Sequence, residues 1–146
     1  MKKIILLGLI ISLVIGSCTQ EKKSPLEGAW KLIYFDQIQN GTTIYQMQGQ
    51  DEGNQIKMWT KEYFTFVGHF ELDTLIVENY GGGTYKLDGD KYEEDIIYHS
   101  FKSSIGKKIK LLIEIRNDTL IQRFPADDNW EIDNNNSLTE KYIRLQ

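Results

Sequence analysis

A single cysteine, Cys18, stands in a chain of 146 residues, so no disulfide can form within it. Any domain built here must stand on its own core. Histidine is nearly as scarce, with two copies, His69 and His99. Strand alternation puts both on outward faces, and neither has a carboxylate or cysteine at metal-ligand spacing, so no metal site is read from them. No Gly-x-Ser-x-Gly elbow is present, no glycine-rich phosphate loop leads into a helix, and no basic stripe follows one face. With 17 Lys and Arg against 21 Asp and Glu, the chain is mildly acidic and is not expected to bind nucleic acid. Lys107, Lys108 and Lys110 form only a local charged rim. The oxygens of Asp127, Asp128 and residues 133–136 lack the alternating spacing and glycine of a calcium loop. Lacking a nucleophile–base pair, the chain is expected to be no enzyme and to carry no cofactor.

What is present begins with Met1-Lys2-Lys3, a short basic segment, followed by an apolar run over residues 4–15. That run is too short to cross a bilayer as a helix, which needs about 20 apolar residues. Ile15-Gly16-Ser17-Cys18 then matches the bacterial lipobox, in which the cysteine thiol is lipidated before cleavage just ahead of it. The expectation is a lipoprotein signal peptide over 1–17, lipidation at Cys18, a polar tether over 18–25 and one domain over 26–146. Each buried acyl methylene contributes about 0.8 kcal/mol, so two or three chains hold the protein to a membrane. At about 3.3 Å per residue, the tether 19–25 reaches roughly 23 Å and keeps the domain close to that surface. Thr19 follows the cysteine in place of an aspartate that would favour the inner membrane. The expected location is therefore the cell envelope, at the outer membrane, on either face.

After the tether, short β-type segments alternate with turn signals, and no window of a dozen residues shows sustained helical periodicity. Asn40-Gly41 and Asp88-Gly89 are hairpin dipeptides, and Asn117-Asp118 marks another turn. Residues 46–55 read as a glutamine- and glycine-rich loop at a barrel mouth. In residues 55–60, Ile56 and Met58 share a face; in 107–116, Ile109, Leu111, Ile113 and Ile115 do. Eight to ten strands joined in this way predict an all-β, antiparallel up-and-down barrel, since closing the sheet removes its edges. Eight strands leave room for a packed interior or one small ligand.

Gly28-Ala29-Trp30 opens the first strand, and Arg144 lies on the last. A Gly-x-Trp answered by a terminal arginine resembles the lipocalin, or calycin, signature. The block 81–100 (Gly-Gly-Gly-Thr-Tyr-Lys-Leu-Asp-Gly through Tyr98-His99-Ser100) and the terminal Glu140-Lys141-Tyr142-Ile143-Arg144 are similar to those of small bacterial lipocalin-like lipoproteins. The resemblance covers most of residues 26–145. It implies closure through Gly28, Trp30 and Arg144, and supplies no activity.

Alternation groups Tyr92, Glu94, Ile96 and Tyr98 on one face of a strand, and Leu138, Glu140, Tyr142 and Arg144 on one face of another. A carboxylate among aromatics costs several kcal/mol unless paired or protonated. Two readings follow. In one, the barrel binds a small apolar or amphipathic ligand through Phe64, Phe66, Tyr85, Tyr92, Glu94, Tyr98, Glu140, Tyr142 and Arg144. In the other, Glu94 or Glu140 pairs with Arg144 or Arg123, the barrel is filled by its own side chains, and its surface meets an envelope partner. The expected partners are thus a membrane, through the lipid anchor, and a small hydrophobic ligand; the sequence names no protein partner.

Overall fold

The computed structural model describes residues 23–49, 54–72 and 75–146. The signal-like segment, Cys18 and the tether as far as residue 22 lie outside them, as do residues 50–53 of the expected mouth loop. Nine strands follow one another in the described chain: β1 (Gly28–Gln39), β2 (Thr42–Gln48), β3 (Gln55–Trp59), β4 (Tyr63–Leu72), β5 (Leu75–Asp88), β6 (Lys91–His99), β7 (Lys108–Arg116), β8 (Thr119–Phe124) and β9 (Ser137–Arg144). One 3₁₀ turn, Lys102–Ser104, lies between β6 and β7.

From β3 to β9 each strand pairs antiparallel with the next. β1 closes the ring. One of its edges takes β9 from Trp30↔Arg144 to Ile38↔Ser137. Its other edge is shared, with β3 along residues 28–31 and β2 along residues 34–39. Because β2 and β3 occupy one position, the nine strands make an eight-stave closed barrel. The β1–β2 hairpin turns where expected, with φ of 51° at Asn40 and 74° at Gly41, both positive as a type I′ turn requires.

One end of the barrel is filled. Trp30, Leu32, Trp59, Tyr92, Leu111, Leu120 and Tyr142 pack there, closed from below by Leu26. Trp30 meets Trp59 edge to face at 6.5 Å, and Trp59 meets Tyr142 the same way at 6.3 Å. The Arg144 guanidinium stacks over Trp30 with its carbon 4.0 Å from the ring centroid. It donates to the Glu27 carbonyl at 2.7 Å and the Pro25 carbonyl at 2.6 Å, tying the chain entering β1 to the chain leaving β9. Gly28, at φ 121°, makes room for it: a Cβ there would lie 3.1 Å from Arg144 Nη1.

Two expectations need correction. Residues 46–55 are not all loop, since β2 runs to Gln48 and β3 begins at Gln55. On β3 Ile56 and Met58 do share a face, and it is the outer one, 37% and 40% exposed, while Gln55, Lys57 and Trp59 are buried. The second concerns Tyr98, expected inward with Tyr92, Glu94 and Ile96. Gly82 pairs with Tyr98 but Gly83 pairs with Ile96, so Ile97 is an extra residue and the alternation inverts. Tyr98 is 71% exposed, and His99, expected outward, turns inward. The glycine triplet permits this close passage: a Cβ on Gly83 would sit 1.9 Å from the Asp95 carbonyl oxygen, and one on Gly81 2.6 Å from the Phe66 ring.

Candidate functional site

Above the aromatic base lies a layer of buried polar side chains drawn from four strands. Lys57 on β3 reaches Glu94 on β6 at 2.6 Å and donates to the Gln122 side chain on β8 at 3.2 Å. Its ammonium stands 5.2 Å from the Trp59 ring centroid, 5.3 Å from Phe64, 5.9 Å from Phe66 and 6.0 Å from Tyr92. Aromatic faces and a carboxylate together replace the water this cation has lost. On β9, Tyr142 donates its hydroxyl proton to Glu140 at 2.8 Å and accepts from the Gln55 amide at 2.7 Å. Gln55 in turn accepts from Asn79 at 2.8 Å. Gln122 Nε2 is buried with no partner among the described residues.

Burial decides the proton affinities here. It pushes the Glu140 carboxyl above the usual carboxylate range, and the nearby Lys57 offsets only part of that shift. Burial, followed by the Glu140 charge, pushes the Tyr142 phenol well up; burial and then Glu94 do the same to Tyr92. His99 is held below its ordinary value, again by burial.

The polar layer is the floor of a cavity of about 330 Å³ that fills the other half of the barrel. Phe35, Phe66, Ile96, Ile109, Leu111, Phe124 and Leu138 form its walls, and Lys57, Glu94 and Glu140 reach into it from below. Asn79, His99, Phe101 and Ser104 also line it. A closed antiparallel ring with one end plugged by the tryptophan–arginine stack and the other hollow has a known architecture. The chain folds as a lipocalin-like barrel.

Within this barrel the ligand-binding candidates separate. The cavity brings together Phe66, Glu94 and Glu140. Phe64, Tyr92 and Tyr142 belong to the packed half, where they support the floor from below. Tyr85 rests against Tyr92 with ring centroids 5.4 Å apart and donates to the Thr60 carbonyl at 2.8 Å, away from the cavity. Tyr98 lies outside the barrel, and Arg144 is at the plugged end. Glu94 is ion-paired, but its partner is Lys57 and neither Arg144 nor Arg123, which instead donates to Asn134 at 2.7 Å. Lys57, Gln55 and Gln122 were missed in the sequence because they occupy positions where apolar residues would signal a core. The available cue was Trp59: it shares the face of Gln55 and Lys57, and so large a ring on a short strand marks the inner side.

The other candidate oxygens have local tasks. Asp127 accepts from the backbone of Asn129 and Glu131, and Asp133 from that of Asn135, so both cap turns. No group of three His, Cys, Asp or Glu suited to a metal occurs among the described residues.

No family model and no curated protein matches this chain. Among solved structures it is similar to a lipocalin-like protein from Bacteroides uniformis, at 15% identity and a TM-score of 0.47, over 82% of this chain and 98% of that one. The barrel assignment itself rests on the closed ring of paired strands.

Proposed function

We propose that this protein is a binding module of the cell envelope, anchored through a lipidated Cys18, whose barrel holds a small amphipathic molecule in its hollow half. The observation that carries this reading is the cavity itself. It is of a size to take a small ligand, apolar on its walls, and equipped at one depth with a few buried polar groups, as small-molecule sites are. A barrel that served only as a scaffold would gain stability from filling that space with side chains.

Native mass spectrometry of gently purified protein tests the reading. Retention of a small molecule by the wild type, and its loss in a folded Leu138→Trp variant that blocks the cavity, is the expected result. A clean apo mass together with failure to take up any added amphiphile would refute it. For the anchor, the expected observation is a membrane-extracted protein that begins at Cys18 and carries two or three acyl chains. Free release of the wild type into the soluble fraction would overturn that part.

A second reading, an interaction protein, has one observation in its favour. On the outside of β4, β5 and β6 a groove of about 480 Å³ passes over Gly81–Gly83, bordered by the exposed Tyr63, Val67, Tyr80, Ile97 and Tyr98. Exposed apolar surface of this kind commonly marks a contact site.

A further inference from the structure

Building on the binding-module reading, we infer that the cavity selects a ligand with a cationic amine head group, which docks against Glu140, and an apolar body that lies along the walls. The inference starts from the charges that reach the cavity. Among the described residues four titratable side chains line it: Lys57, Glu94, Glu140 and His99. Lys57 is enclosed by its own partners, with Glu94 at 2.6 Å, Gln122 at 3.2 Å and four ring faces around it. Its charge is matched by Glu94 and leaves none for a ligand anion.

Among the described residues Glu140 has no such counterion within ion-pairing distance. Across the sheet it faces Phe35 on β1 and Gln122 on β8, and along β9 it receives one hydrogen bond, from Tyr142. It is 8% exposed yet lines the cavity, so what remains open of it faces the lumen. A buried carboxylate without a cation is costly, and its raised proton affinity reflects that cost. A ligand ammonium against Glu140 supplies the missing charge where water is largely excluded and the attraction is strong. A carboxylate or phosphate head would meet two glutamates on the floor. His99, whose neutral form is favoured by burial, offers it no compensating charge.

The test compares decylamine, decanol and decanoate, which share one tail, by calorimetric titration of the purified protein near neutral pH. Decylamine should bind at least about tenfold more tightly than decanoate, which corresponds to about 1.4 kcal/mol. In Glu140→Gln, which keeps the volume and an acceptor for Tyr142, that preference should vanish while decanol binding stays within about twofold. Independently of the variant, wild-type affinity for decylamine should fall as acid protonates Glu140. Lys57, Glu94, Tyr142 and His99 are the other titratable groups facing this region, and of these only Glu94 and His99 can gain a proton. Protonated His99 would repel an amine too, so a fall that persists in His99→Gln and disappears in Glu140→Gln identifies the Glu140 carboxyl. Equal or tighter binding of decanoate, or an amine preference that survives in Glu140→Gln, would overturn the head-group assignment and leave the binding module intact. Failure of all three to bind would overturn both.

Discussion

The two halves of the barrel are built by the same strands and solve opposite problems. In the plugged half every large ring has a neighbour, Trp30 donates to the Leu26 carbonyl at 2.8 Å, and Arg144 satisfies two carbonyls while covering indole. In the hollow half an ammonium, two carboxyls and two amides are buried under empty space, and one of them, Gln122 Nε2, lacks a partner among the described residues. The first arrangement maximises stability. Placed in a core, the second contributes little net stability, because desolvation consumes most of what pairing returns. The contrast teaches where the molecule gives up stability, and the Glu140–Lys57 level is that place.

Breaking the floor should give the largest effect. Glu94→Ala leaves Lys57 buried without its carboxylate and should destabilise the domain by about 3–5 kcal/mol in urea unfolding. The double replacement Lys57→Met with Glu94→Leu should recover most of that loss, since it removes both charges together. A single variant that unfolds like the wild type would show that the pair is solvated.

Breaking the plug comes next. Arg144→Ala removes a cation–π contact of about 0.5–2 kcal/mol and two hydrogen bonds to carbonyls near the surface. A loss of about 1–3 kcal/mol is expected, well beyond an ordinary surface change. A melting temperature unmoved by the substitution would mean that closure at this end does not depend on the stack.

Glu140→Gln sharpens the comparison through pH. A carboxyl whose proton affinity is raised by folding binds its proton more tightly folded than unfolded. Its contribution to stability is therefore greatest in acid and declines as pH rises from the ordinary carboxylate range through the raised folded value. The amide cannot ionise, so the variant should be the more stable protein at neutral pH, with the difference closing as pH falls. Denaturation curves that stay parallel across that range would show that the charge is already compensated.

Tyr98→Ser should do least. Despite its place beside three inward residues in sequence, Tyr98 lies outside the barrel, and its loss should change stability by within about 0.5 kcal/mol. A loss of several kcal/mol would restore it to the interior.

Much of the barrel could be read without coordinates. Turn dipeptides and two-residue alternation delimit the hairpins because those preferences are local: positive φ at Asn40 and Gly41 is a property of the dipeptide. Ile109, Leu111, Ile113 and Ile115 declare their face because one side of β7 is apolar and the other charged. The pairing of Trp30 with Arg144 was legible through a motif shared with other barrels. The site was less so. Tyr98 and His99 exchange sides because one residue too many faces Gly82 and Gly83, and a bulge depends on the partner strand. Lys57 points inward because Trp59 does, and its counterion is 37 residues away in sequence. A chain read by itself specifies which stretches become strands and where they turn, since those choices are made within a few residues. Which lysine is buried, which glutamate neutralises it, which glutamate is left over, and that half the barrel stays hollow were decided only when closure set β3, β6, β8 and β9 around a common interior.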